Sequence, residues 1–185
     1  MNKRTVRIAV CLTLLTLFMS CLSAQSYTTY SQSSNLGKEN IDKASFVWVL
    51  CDTNSFMWNR TIETSVMNSL SKKGVDIQIT SDYLDICSLS DDDYGKVVEL
   101  IIESGADYLL ALEMKDLFTY SVGGGITSMN ITATLLNLNT GRDAIIIELY
   151  TEADTNDYKS LNATREPAVD SMAEMLTKEF IKYVK

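Results

Sequence analysis

Residues 88–114 read SLSDDDYGKVVELIIESGADYLLALEM, and the fold turns on where this stretch changes its period. Ser90 is a favourable helix N-cap, and Asp91, Asp92 and Asp93 fill a first turn in which the helix dipole favours negative charge. Tyr94, Val97, Val98, Ile101 and Ile102 recur at helical spacing as one apolar stripe. Gly105 closes that helix, and the apolar run Ala106 to Met114 predicts a buried strand. A helix feeding directly into such a strand is part of a crossover connection, so the stretch predicts an α/β (α+β) domain built on a sheet.

The neighbouring segments extend the pattern. Ser45 to Cys51 (SFVWVLC) is β-branched, aromatic and apolar, as a buried strand would be. Asn59 is placed to cap a helix running to Lys73, with Ile62, Val66 and Leu70 on one face and Gly74 at its end. Val75 to Thr80 alternates apolar and polar and reads as a second strand. Ile126 to Leu138 sets Met129, Ile131, Ala133 and Leu135 against Ser128, Asn130, Thr132 and Thr134. Asn139-Thr140-Gly141 supplies a turn, and Ala144 to Thr151 returns. A last helix spans about Thr164 to Val184, with Pro167 in its first turn and Val169, Met172, Ala173, Leu176 and Phe180 on the buried face. The predicted order is β-α-β-α-β-β-β-α: a single mixed sheet of about five strands, parallel early and antiparallel late, with helices mainly on one face.

The chain opens as an exported protein would. Asn2 to Arg7 is a short basic region, Ile8 to Met19 is apolar, and small or polar residues follow, the layout of a secretory signal. Two processing routes stay open. Ser20-Cys21 fits the end of a lipobox, which would make Cys21 the lipidated N-terminus; Leu22-Ser23-Ala24 before Gln25 offers cleavage without lipid, and lipidation of Cys21 is the favoured route. The expected divisions are a signal peptide over 1–21 (to 24 without lipid), a flexible polar tether over 22–44, and one domain over 45–185.

Composition excludes several activities. The 185 residues carry a net charge of −8, and the chain becomes more acidic still once Lys3, Arg4 and Arg7 leave with the leader. That sign repels phosphate backbones, so no nucleic acid partner is expected. There is no His, which removes Ser–His–Asp and Cys–His catalysis and metal sites that rely on imidazole.

GADYLL (residues 105–110), leaving a helix for a strand, and the turn in LNLNTGR (residues 136–142) resemble a group of small bacterial envelope proteins. The group includes the N-terminal domain of TolB, LpoB-like penicillin-binding-protein activators and CsgG-like curli-secretion lipoproteins. The resemblance covers Ser45 to the end of the chain. It implies envelope scaffolding or partner binding rather than catalysis, and it carries no catalytic residues over.

The remaining candidates for chemistry each have a plainer reading. Gly123, Gly124 and Gly125 precede a strand and lack the Lys of a phosphate-binding loop, so a hairpin tip accounts for them. Asp91 to Asp93 cap a helix, and Glu152 to Asp157 lacks the Gly and terminal Glu of an EF-hand, so no metal and no cofactor is expected. Cys51 and Cys87 fall at the ends of neighbouring strands and are a candidate disulfide in an oxidising compartment, against two unrelated thiols. Ser128, Asn130, Thr132 and Thr134 are a candidate binding face, against an ordinary solvated one. The sequence therefore predicts a non-enzymatic accessory or scaffold protein that binds an envelope partner, held at the outer membrane facing the periplasm by a lipid on Cys21, or else soluble after export. The alternatives are a hydrolase of the glycosidase type using Asp and Glu alone, and a structural subunit of a larger envelope assembly.

Overall fold

The computed structural model describes residues 27–36, 40–53, 56–84, 91–119, 126–153 and 165–185. The expected signal peptide, Cys21, Cys87, the expected helix cap Ser90, the glycine run at 123–125 and the stretch 154–164 lie outside them. Ten elements follow in order. They are β1 (Tyr27–Asn35), β2 (Phe46–Asp52), α1 (Phe56–Ser71), β3 (Asp76–Ile79), a short 3-10 turn (Thr80–Asp82), α2 (Asp91–Ser104), β4 (Tyr108–Thr119), β5 (Ile126–Asn137), β6 (Arg142–Ala153) and α3 (Arg165–Ile181). The strands form one mixed sheet in the order β1-β6-β5-β4-β2-β3. β2 runs parallel to β3 and β4, and the other pairs are antiparallel.

This order explains where the helices sit. The chain steps outward from β2 to β3 and then back past β2 to β4. Right-handed crossovers in opposite directions place their helices on opposite faces. α1 therefore covers one face together with α3, and α2 covers the other over β2 and β4. The larger core joins Val47, Val49, Ile79, Leu110, Leu112, Ile131, Leu135 and Ile147 to Ile62, Val66 and Leu70 of α1 and to Met172, Leu176 and Phe180 of α3. The smaller core sets Trp48 and Leu50 against Val97 and Ile101. Burying each such side chain contributes about 1.5–3 kcal/mol, so the larger core dominates.

Three details differ from the sequence reading. The described residues form six strands, because Tyr27–Asn35, expected as tether, pairs along its whole length with β6. That strand has no aliphatic residue, so no apolar alternation marks it, and backbone pairing with hydroxyl contacts holds it instead. In α2, Val97 and Ile101 are buried, while Val98 and Ile102 are 51% and 73% exposed. A helix resting on the sheet over so small a core buries only part of a stripe that wide. Asn59 lies inside α1 instead of before it, where its Oδ1 accepts from the Thr53 N–H (2.8 Å) and hydroxyl (2.5 Å) and secures the end of β2.

The GAD step has a structural role. Gly105 adopts φ 69°, a left-handed conformation that ends α2 without the strain a side chain would bring. Asp107 then accepts from the Phe46 N–H (2.9 Å) and donates its own N–H to the Phe46 carbonyl (2.9 Å), fixing the start of β4 against β2.

At the opposite end of these strands, Glu63 of α1 is buried. Its carboxylate accepts from the Cys51 N–H (2.7 Å) and the Ser81 N–H (2.8 Å). Burial pushes its carboxyl up to about 6; the hydrogen bonds from Ser81 and Cys51 oppose that shift, and the Asp82 charge adds to it. A folded-state pKa above the unfolded value means the native state holds the proton longer. The group's contribution to stability is therefore complete below the unfolded pKa and withdrawn as pH rises through about 6. The loss at neutral pH is on the order of 2 kcal/mol. Glu63→Gln should remove this dependence, so that urea unfolding of the wild type weakens by about 2 kcal/mol more than that of the variant between pH 4 and 7. The variant presents an N–H to one of the two backbone donors and should be about 1–3 kcal/mol less stable at acid pH.

Candidate functional site

The four residues expected to form a binding face do share one. Met129, Ile131, Ala133 and Leu135 are buried on the α1–α3 side, while Ser128, Asn130, Thr132 and Thr134 point to the other side and are half-buried. The cross-strand register extends this face over four strands, since directly paired residues lie on the same side of a sheet. Phe118, Ser128, Glu152 and Thr28 form one row; Asp116, Asn130, Tyr150 and Tyr30 form the next. Glu113, Thr132, Glu148 and Gln32 form a third. Among the described helices only α2 lies on this side, over β2 and the start of β4 at Leu109, so these rows are left uncovered by it.

Sequence reasoning found the middle strand of the face and missed its flanks. Tyr30 and Tyr150 are cross-strand partners whose rings stack with centroids 6.4 Å apart and planes 24° apart. They are 55% and 42% exposed, and Phe118 is 61% exposed. Tyr30, Gln32, Lys115, Asn130, Thr132, Glu148 and Tyr150 line an open cavity of about 480 Å³. Lys115 sits at a bulge in β4 between Met114 and Asp116 and pairs with Glu113 at 2.5 Å. Threonine and tyrosine in YTTYSQSSN suit a strand, but polar residues on both faces concealed it.

β1 owes its place in this face to hydroxyl groups on its reverse side. Thr29 Oγ1 shares hydrogen bonds with Thr151 Oγ1 (2.9 Å) and Ser171 Oγ (2.8 Å). Ser31 and Ser33 donate to the two oxygens of Glu179 at 3.0 and 2.9 Å, and Lys182 donates at 2.6 Å. Burial raises the Glu179 carboxyl, but the hydrogen bonds from Lys182, Ser33 and Ser31 and the Lys182 charge outweigh it and hold the group below its usual range. A lowered folded pKa gives stability that is present above the unfolded pKa and lost as pH falls through the folded one. β1 is thus held most firmly at neutral pH.

A pair of carboxylates borders the face. Asp52 and Glu113 are register partners on β2 and β4 and line, with Thr53 and Trp58, an open cavity of about 370 Å³. Burial and the Glu113 charge both raise the Asp52 carboxyl. Cys51, next to it, is a buried thiol facing the larger core. Burial pushes that thiol well above its usual range, with the Glu63 and Asp52 charges adding to the effect. Its candidate partner Cys87 lies outside the described residues. Among the described residues, no three Cys, Asp or Glu side chains gather as metal ligands would, and no helix is long and apolar enough to cross a membrane.

No protein-family model and no curated protein matches the chain. Solved structures do match its fold. A PelC dodecamer from Paraburkholderia phytofirmans is similar in two crystal forms. The first has a TM-score of 0.54 and 15% identity, covering 80% of this chain and 94% of the PelC chain. The second has a TM-score of 0.50 and 13% identity, covering 80% and 95%. Lipoprotein GNA1162 from Neisseria meningitidis aligns at a TM-score of 0.44 and 13% identity, covering 75% of this chain and 96% of the other. At such identities the likeness to PelC is one of fold.

Two outcomes follow for the site. Glu179→Gln should speed amide exchange across Tyr27–Asn35 about tenfold, the loss expected when hydroxyls donate to a neutral group instead of a charged one, while β2 and β4 stay unchanged. Cys51 in the native protein should resist thiol reagents and react only on unfolding; a Cys51–Cys87 cross-link in non-reducing mass mapping would replace that expectation with the disulfide.

Proposed function

We propose that the protein is an exported, non-enzymatic envelope protein, anchored through Cys21, that holds a partner protein against the open face of its sheet. The observation that carries this reading is the face itself: three register rows over four strands, uncovered by any described helix and bearing exposed Tyr30, Tyr150 and Phe118. An exposed aromatic patch rimmed by polar residues is characteristic of interaction surfaces. The signal-like leader, the Ser20-Cys21 step and the GADYLL resemblance to the TolB, LpoB and CsgG group support the compartment and the accessory role. On this reading the protein works at the outer membrane, facing the periplasm.

The fold likeness to a protein solved as a dodecamer favours a second reading, in which copies of this chain assemble with one another. The Asp52–Glu113 pair keeps the Asp/Glu hydrolase as a third. The experiment that separates them places a photo-crosslinking benzoylphenylalanine at position 150 in cells, with position 73 on the α1 side as control. A discrete adduct of foreign mass from position 150 alone is expected. An adduct at twice the mass of the chain would favour self-assembly. Hydrolysis of nitrophenyl glycosides that disappears in Asp52→Asn would replace both with the enzyme. Intact mass of the membrane fraction should show the acyl chains on Cys21, and a soluble form beginning at Gln25 would overturn the anchor.

A further inference from the structure

The charges of the open face are unevenly placed. Glu113 and Asp116 stand on β4, and Glu148 and Glu152 on β6, all at register positions on the open side, with Asp52 beyond them on β2. Between these two acidic rails, β5 offers only Ser128, Asn130 and Thr132. Strands two apart are separated by roughly 9.6 Å, and successive residues on one face by roughly 6.8 Å. Short neutral side chains between longer carboxylates make a trough, and the cavity at Asn130, Thr132, Glu148, Tyr150, Tyr30 and Gln32 lies in it. Among the described residues its one cation is Lys115, already paired with Glu113. The groove between α1 and α3 is different: there Lys72, Lys73 and Lys178 accompany Asp170 and Glu174. The acidity of the open face is therefore local, beyond the chain's general net charge.

We infer that this trough takes an extended, basic segment of the partner polypeptide, with arginine or lysine side chains reaching the two carboxylate rails and the Tyr30–Tyr150 pair. The inference rests on the docking reading above and names the chemistry of the partner. Charge complementarity selects the occupant. Among the described residues the face sets four carboxylates against a single lysine, which leaves an excess of negative charge for cations to meet. The spacing also fits, because alternate side chains of an extended peptide recur at roughly 6.8 Å, the interval between the rows. The tyrosine pair adds ring faces on which a guanidinium can stack. Neutral or acidic segments would leave the rails unpaired.

The test uses the mature protein in detergent and fluorescein-labelled deca-arginine, with a glycine–serine peptide of equal length as the neutral control. Glu148→Gln/Glu152→Gln removes two rail charges. Glu99→Gln/Glu103→Gln removes two exposed charges from α2. Deca-arginine should bind and the neutral peptide should not. The rail variant should weaken binding about five- to tenfold, and the α2 variant less than twofold. In the wild type, the peptide should slow amide exchange in 128–132 and leave α2 unchanged, a readout independent of how well any variant folds. Equal weakening in both variants, or protection elsewhere, would overturn the inference in favour of diffuse attraction. Absence of deca-arginine binding, with the crosslink from position 150 intact, would overturn the basic segment alone. Absence of any foreign adduct from benzoylphenylalanine at position 150 in the otherwise wild-type chain would overturn the docking reading itself.

Discussion

The buried carboxylate of Glu63 is the constraint on which the architecture rests. Its two oxygens hold the Cys51 and Ser81 amides, so one side chain of α1 ties together the ends of β2 and the strand beside it. The last register pair of β2 and β3 is Val49 with Ile79, so both amides lie beyond the end of that pairing. The two oxygens of a single carboxyl group accept from both amides. The bond network also explains why a carboxylate tolerates such burial. Two backbone donors offset much of its desolvation, although its pKa still rises to about 6. Nearby, Trp48 Nε1–H donates to Thr80 Oγ1 at 2.8 Å, and the Thr80 hydroxyl donates to the Val49 carbonyl at 2.9 Å. The same strand ends are thereby fixed from the opposite face.

With β2 held in this way, the two faces of the sheet acquire different fates. The outward and return crossovers put α1 and α2 on opposite sides, and α3 joins α1. Among the described residues, helices thus cover one face across the sheet, and the other only over β2 and the start of β4. The uncovered part must carry polar side chains, and it does so in register across β4, β5, β6 and β1. The open face is a direct consequence of helix count and crossover direction. Its aromatic and acidic character is a further property of the particular residues placed there.

Much of this was legible in the chain. The Ser128/Asn130/Thr132/Thr134 alternation identified a face, since a period of two separates buried from exposed residues without knowledge of the partners. Gly74 and Gly105 marked helix ends, and both adopt positive φ. Asp107 in GADYLL was visible as a motif, yet its hydrogen bond to the Phe46 N–H joins residues 61 apart and has no local signature. Val98 and Ile102 were indistinguishable from Val97 and Ile101 by spacing, because how much of a stripe is buried depends on the width of the surface it meets. β1 was concealed by its own composition: threonine, serine and tyrosine make as good a tether as an edge strand. Only the Glu179, Thr151 and Ser171 partners, each more than 120 residues away, turn it into a strand.

The sequence by itself determined the class of fold, the core faces of α1, α3 and the later strands, the acidic character of the chain and its lack of imidazole chemistry. These properties depend on local periodicity and on composition, which need no knowledge of distant neighbours. Tertiary structure alone decided that Tyr27–Asn35 joins the sheet, that Tyr30 stacks on Tyr150, and that two rows of carboxylates flank the short residues of β5. Each of those facts is a matter of which strands lie side by side and in what register. Register is set jointly by the crossovers, the turns and the packing of the whole domain, so no single stretch of the chain contains it.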